Sequence, residues 1–255
     1  MMICDFHVHS SFSDGKLSIA ELIDFYGSRG FGAIAITDHI CEDNSFFGFA
    51  AGYLKYTLTA LNFSKYMQVL EEEAQRAWFQ YQMIVIPGFE LSKNSWSNHR
   101  SAHILALGVS DFISADADIL TLISQIKDQG ALTIAAHPVS TQKLEMQTFH
   151  LWNRREELAP LIDAWEVASG PYLFAEVLHS KLPKIASSDL HHSKQISSWK
   201  TILSCEKHPQ AILEAIKNQH VSFQFYEDKA LPNRNQTQIQ RTKDLLSQNL
   251  RLSLS

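Results

Sequence analysis

Short apolar runs alternate along this chain with stretches whose apolar residues recur at helical spacing. The runs fall at residues 2–6, 33–36, 83–86, 104–109, 132–136 and 162–167, followed by a short one at 183–186 and a weaker one at 221–225. Helical patterns occupy 18–29, 63–81, 117–129 and 209–218, and Ser18 with Glu21 three residues on spells a capping box at the first of them. Strands that alternate with helices pair mostly in parallel and need helices over their faces. The pattern therefore predicts an α/β fold, either a barrel or a doubly wound sheet. At 255 residues and 45% apolar, one sizeable core is enough.

Composition removes several classes. The net charge of −5 and a pI near 6.2 provide no global field for a polyanion, which argues against long nucleic acid as a partner. Cys4, Cys41 and Cys205 are too few and too scattered for a disulfide framework, and no CxxC spacing exists for a thiolate zinc site. The opening MMICDFHVHS has no basic leader, and nothing approaches the roughly 18 apolar residues that a membrane span requires. The expectation is a cytoplasmic protein with no membrane partner. Oligomeric state leaves no mark on the sequence. Residues 229–255 turn polar, as a surface helix or tail separate from a domain spanning 1–228. The aromatic, glycine-containing stretch 41–63 is too long for an ordinary strand-to-helix loop and suggests a lid or pocket wall, and 139–160 a further pocket-shaping segment.

Twelve histidines are many for this length, and their placement is more telling than their number. His7 and His9 are two apart at the end of the first run, so both imidazoles leave one face of a strand together. Asp14 follows in a Ser-Asp-Gly turn, close enough to fold back toward them. His39 ends the second run, Glu90 follows the third, His137 closes 134–137 before Pro138, and Asp189 and His191 follow the short run at 183–186. In parallel α/β folds reactive groups gather at the carboxyl ends of strands, and five strand ends here each deliver His, Asp or Glu. That donor set suits zinc, manganese or iron. His103 precedes its run, so it reaches the same end only if that strand runs antiparallel, which is the reading adopted. Asp38 reads as a helix N-cap or a partner orienting a histidine, and Glu166 as a supporting carboxylate outside the metal set. His99 and His192 neighbour the cluster as substrate-binding candidates, with Arg100 as a bidentate phosphate clamp. His150, His179, His208 and His220 read as surface or packing residues. Trp96, Trp152, Trp165 and Trp199 read as core or rim aromatics.

Taken in order, His7-Val-His9 with Ser-Asp14-Gly, Thr-Asp38-His39, Pro-Gly-Phe-Glu90, His103, Ala-His137-Pro and Ser-Asp189-Leu-His191 resemble the motifs of the PHP family, which joins polymerase-associated domains with histidinol phosphatases. The resemblance runs from residue 3 to about 225 and is nearest to the stand-alone metal-dependent phosphoesterases. It implies a distorted (β/α)7 barrel, TIM-barrel-like, over 1–228, and two or three divalent ions (Zn, Mn or Fe). By that resemblance His7, His9, Glu90 and Asp189 hold one ion. Glu90, His103 and His137 hold a second, with Glu90 bridging, and Asp14, His39 and His191 a third. Asp14 stands where some relatives carry histidine.

The chemistry that follows is hydrolysis of a phosphomonoester, on a small molecule or nucleotide, by a hydroxide bridging the metals, with Glu90, Asp189 and His191 as catalytic residues. The alternative is a nuclease or 3',5'-nucleoside bisphosphate phosphatase acting on RNA ends or short oligonucleotides. Amide or cyclic-ester hydrolysis and a non-enzymatic metal-binding module are more distant rivals.

Overall fold

Ala33–Ile36 is short, β-branched at alternate positions and buried on both faces, as a parallel strand covered from both sides must be. It forms β2 in the computed structural model, which describes residues 1–42, 57–94, 101–139 and 149–228. The other strands are β1 (Met2–Asp5), β3 (His39–Cys41), β4 (Ile84–Lys93), β5 (Ala102–Leu107), β6 (Leu132–Ala135), β7 (Ala164–Ser169), β8 (Tyr172–Leu173), β9 (Lys184–Ser187), β10 (Ser198–Leu203) and β11 (Val221–Tyr226). The longer helices are α1 (Ile19–Gly27), α2 (Phe63–Tyr81), α3 (Ile119–Asp128) and, near the end, a nine-residue helix at Pro209–Lys217. The capping box expected at α1 is formed: Ser18 N–H donates to Glu21 Oε2 at 2.8 Å, and Glu21 N–H to Ser18 Oγ at 3.3 Å.

β1, β2 and β4 pair in parallel, β5 runs antiparallel to both β4 and β6, and β6, β7 and β9 are parallel again. The sheet curls until β9 returns to β1. There a single parallel bridge joins Val8 to Leu190, with His9 N–H donating to Leu190 O at 2.9 Å and Leu190 N–H to His7 O at 3.2 Å. β10 lies antiparallel on the other end of β1, and β11 follows it at the edge. Thr201 sews β10 to β9, accepting Ala186 N–H at 3.0 Å and donating to Ala186 O at 2.9 Å.

Two apolar clusters follow from this curl. Met2, Cys4, Phe6, Ala33, Ala35, Ile86, Leu105, Ile134, Ala164 and Ile185 meet in one, with Ile212 and Ile216 of the helix at 209–217. Only a closed or nearly closed sheet brings side chains of all those strands together, so this cluster is the interior. Ile34 and Ile36 belong instead to the outer cluster, beneath α1 and α2. Alanines inside and isoleucines outside let β2 bend around a narrow interior. Phe6 faces the inner cluster but Val8 the outer one, so the alternation breaks where β1 ends. That break separates the apolar floor from the histidines above it.

The expectation of seven repeated β/α units holds in its coarser form, an α/β fold with a curled mixed sheet. β5 departs from the repeat because it follows β4 as an antiparallel neighbour, which is the orientation His103 required. The strand at β10 was not foreseen. Its sequence, SWKTIL, carries a lysine where a buried strand should be apolar. The division at residue 228, the lid reading for 41–63, and much of 139–160 fall on or across segments outside the described residues. No described helix is long and apolar enough to cross a membrane.

Candidate metal centre

The nine side chains singled out as metal ligands converge at one end of the sheet. His7 and His9 follow β1, His39 follows β2, Glu90 lies in β4 opposite His39, His137 follows β6, and Asp189 and His191 follow β9. Antiparallel β5 carries His103 to the same end by its start. Glu90 is at the middle and almost wholly buried. Its Oε1 lies 2.9 Å from His103 Nδ1 and 3.3 Å from His137 Nε2. Its Oε2 lies 3.4 Å from His7 Nε2 and 3.5 Å from His9 Nε2. Asp189 Oδ1 closes the second side, 3.3 Å from Nε2 of both His7 and His9. Further out, Asp14 Oδ1 lies 3.3 Å from His191 Nε2, 3.6 Å from His39 Nε2 and 3.9 Å from His9 Nδ1.

Donor atoms therefore group as His7, His9 and Glu90; as His7, His137 and Asp189; as Glu90, His103 and His137; and as His9, Asp14, His39 and His191. His9 faces both the inner and the outer group, its ring between those of His39 and His191 with centroids 4.3 and 4.1 Å away. The outer group is the most open: the Asp14 side chain is 29% exposed and that of His191 26%, against 0% for His7 and His9.

Whether these residues suit a metal is tested by what they leave unmade. His7 Nε2, both ring nitrogens of His9 and Glu90 Oε2 are buried without a hydrogen-bond partner. Glu90 Oε2 does lie 2.9 Å from His39 Nδ1, but that nitrogen is directed at Ser92 Oγ, 2.8 Å away. Buried polar atoms are seldom left unpaired, and a cluster of them converging on common points is what a cation satisfies. The far nitrogens, by contrast, are anchored. Glu166 Oε1 is 3.1 Å from His7 Nδ1, Asn94 Oδ1 3.0 Å from His103 Nε2, and the Asp189 carbonyl 3.1 Å from His191 Nδ1. A ring held on one side by an oxygen presents the lone pair of its other nitrogen to the centre.

Charge is arranged in the same sense. Burial opposes ionisation of Glu90 and Asp189, yet the surrounding imidazoles outweigh it and hold both well below the usual carboxylate range. Burial likewise opposes protonation of His137 and His191, but the carboxylates outweigh it and lift each to about 9. His9 goes the other way. Burial, then the neighbouring His191 and His39, push it to about 3. Without ions the centre thus holds anionic carboxylates compensated by protons on some of its histidines.

Local structure explains why the sequence folds this way. Gly15 ends the Ser-Asp-Gly turn, and a Cβ there would lie 2.2 Å from the His9 carbonyl, so only glycine lets the turn close on the histidines. Asp38 is neither a helix cap nor a partner of a histidine. The strand β3, not a helix, begins at the next residue, and the Asp38 carboxylate accepts Ser10 N–H (2.8 Å), Ser10 Oγ (2.6 Å), Ser13 N–H (3.1 Å) and Ser13 Oγ (2.5 Å), pinning the loop that carries Asp14. His137 and Asp189 have φ of 27° and 53°, the left-handed region that side chains occupy at a cost, and the His137 N–H is caught by Glu166 Oε2 at 2.8 Å.

Of the substrate-binding candidates, His99 and Arg100 lie outside the described residues. His192 is exposed next to His191, with Lys16 and Lys194 near enough to act on its charge. The supporting roles of Ser92 and Asn94 were missed, although both continue the period-two alternation from Glu90. Trp165 and Trp199 are core residues as expected.

A curled α/β sheet with a histidine–carboxylate centre at its carboxyl mouth is the class this geometry defines. The model of the PHP domain matches residues 5–151, more than half of the chain, and the chain belongs to that family. Among solved structures, a two-domain protein from Bacteroides vulgatus containing a predicted PHP-like metal-dependent phosphoesterase is similar, at 24% identity and a TM-score of 0.64. The match covers 88% of this chain and 65% of that one, so this chain spans less than two thirds of its length. PsfC from Pseudomonas syringae is similar over 100% of this chain and 99% of its own, with 17% identity and a TM-score of 0.51. An amidohydrolase from Chromobacterium violaceum, solved with bound sulfate and no metal, is similar over 74% and 87%, with 18% identity and a TM-score of 0.50. No curated protein matches the sequence.

Proposed function

We propose that this protein is a metal-dependent phosphoesterase that hydrolyses a phosphomonoester of a small molecule or nucleotide. One observation carries the reading: Glu90 turns one carboxylate oxygen to His103 and His137 and the other to His7 and His9, the disposition of a carboxylate shared by two cations. Zinc, manganese or iron all suit these donors. Divalent ions, when bound, neutralise phosphate oxygens and make a coordinated water acidic enough to attack at neutral pH.

The chain's own residues divide the remaining work. His7, His9, Glu90 and Asp189 would hold one ion, with His103 and His137 joining Glu90 at a second. Asp14, His39 and His191 would hold a third at the open rim, where a leaving group departs into solvent. Glu90 and Asp189 would serve by holding the inner ions, and His191 by presenting Nε2 at the rim on the leaving-group side, its Nδ1 being held by the Asp189 carbonyl. At the rim, Lys16 and Lys194 supply positive charge to orient an anion, beside a His192 that burial and the adjacent His191 keep neutral and able to hydrogen-bond. That rim also favours the second reading, a 3',5'-nucleoside bisphosphate substrate, whose additional phosphate lies one sugar away from the scissile one.

The test is elemental analysis of the purified chain with hydrolysis of p-nitrophenyl phosphate and a panel of mono- and bisphosphates, with manganese and with chelator. Metal uptake with turnover that His9→Ala abolishes is the expected result. A protein that binds its metals yet releases no phosphate from any ester would overturn the phosphoesterase reading and leave the centre standing.

A further inference from the structure

Next to the centre lies a second buried polar cluster, around Asp5. Asp5, two residues before His7, accepts Ser188 N–H on Oδ1 at 2.9 Å. Its Oδ2 accepts Ser188 Oγ at 2.6 Å, Tyr26 OH at 2.8 Å and Lys200 Nζ at 2.9 Å. Lys200 is wholly buried in β10 and gives a second bond to Ser198 Oγ at 2.6 Å. We propose that Asp5, held by Lys200 and Tyr26, is a positioning residue for the metal centre, clamping Ser188 so that Asp189 is aimed at His7 and His9. This rests on the metal centre proposed above.

Three observations carry it. First, the backbone does only part of the job. Among the described residues β9 and β1 share no ladder beyond the isolated Val8–Leu190 bridge, whose Leu190 N–H to His7 O bond holds the residue after Asp189 but not Ser188 before it. Second, Asp189 has φ 53°, a conformation a non-glycine residue keeps only when its surroundings impose it. The residue just before it is gripped at both its N–H and its hydroxyl by one carboxylate. Third, closing the sheet does not by itself need a buried ion pair. Thr201 joins β9 to β10 with one neutral hydroxyl at Ala186, further from the ligands. The charged clasp is spent where ligand geometry is set. Conserving the carboxylate's charge matters because Lys200 has no route to water and cannot swing away.

Ser188→Ala, Asp5→Asn and, as a control for the seam, Thr201→Val separate positioning from mere structure. Mn2+ titration of each metal-free protein, followed by the EPR signal of free Mn2+, gives the number and affinity of sites. A thermal melt without metal gives stability. The expectation is that Ser188→Ala and Asp5→Asn weaken one class of site about tenfold or more, as losing a group that orients a ligand does. Thr201→Val lowers the melting temperature but keeps wild-type affinities. Ser188→Thr, which retains the hydroxyl, restores Mn2+ affinity. Should Ser188→Ala bind Mn2+ as the wild type does while melting earlier, the clasp only closes the sheet and the inference falls alone. A wild-type chain that takes up no Mn2+, Zn2+ or Fe2+ would sink both the inference and the reading it rests on.

Discussion

Two buried polar clusters sit within a few residues of each other in this fold, and they are built on opposite plans. Around Asp5 each carboxylate oxygen meets donors from Ser188, Tyr26 and Lys200, and the cluster closes on itself. Around Glu90, ring nitrogens and an oxygen are buried with nothing to bond. Buried polarity that is internally complete is architecture. Buried polarity that stays incomplete, while its outer atoms are carefully anchored, is a place reserved for something that comes from outside.

The strongest way to break that contrast is Glu90→Gln, which keeps shape and removes the shared charge. Hydrolysis should fall by about 10³-fold or more, on the scale of losing a principal electrostatic group. Metal content should drop. The metal-free melting temperature should fall as well, since the Glu90 charge compensates the neighbouring imidazoles, whereas undiminished metal content would make Glu90 architectural and erase the distinction. Lys200→Met should act first on folding. It leaves Asp5 buried without its cation, at about 3–5 kcal/mol of folding stability by urea denaturation. Adding Asp5→Asn, which removes the uncompensated charge but keeps an acceptor for Ser188 and Tyr26, should recover part of that stability, yet not the metal affinity if the clasp also aims Asp189.

A smaller effect is expected at the rim. Gly15→Ala forces the Asp14 turn off the His9 carbonyl, so the outer group should lose about tenfold in affinity with the inner groups unchanged. Calorimetric titration with Mn2+ resolves the two. pH provides a further measure. His137 and His191 hold their protons up to about pH 9 in the metal-free chain, and each must release one when its nitrogen binds a cation. Metal affinity should therefore rise with pH from 6 toward 9, with proton release visible as a buffer-dependent binding enthalpy. A flat profile would mean the protons lie elsewhere. Smallest of all, Asp118→Ala removes the cap that accepts Leu120 and Thr121 N–H at the start of α3. It should lower the melting temperature by a few degrees and leave metal binding untouched, a baseline for ordinary structural loss.

How far the sequence disclosed all this depends on how local each signal is. The convergence of the candidate ligands was legible because most of them follow an apolar run, and His103 could be placed with them once its position demanded an antiparallel strand. The helix at 63–81 and the capping box at Ser18 were equally plain, since periodicity and caps are written in neighbouring residues. Asp38 was misjudged and Asp5 passed over because their partners, Ser10 and Ser188, lie 28 and 183 residues away, and Glu166, though read as a supporting carboxylate, gave no sign of its partner His7, 159 residues away. Ser198–Leu203 went unread as a strand. A lysine inside SWKTIL fits a buried strand only with partners such as the cross-strand Asp5 and Ser198 beside it.

Those separations also bear on the order in which the centre can be assembled. Glu90 and His103 are 13 residues apart on adjacent antiparallel strands, whereas His7 and Glu166 are 159 apart. Closing the longer loop costs the unfolded chain about 2 kcal/mol more in entropy. A nascent or refolding chain therefore gains the Glu90–His103 half of its centre from a local hairpin, while the His7 half waits for the two ends of the sheet to meet. An ion caught early by the hairpin would tether it before the ring closes, so refolding in Mn2+ should accelerate steps that come before seam closure and leave the closure itself at its metal-free rate.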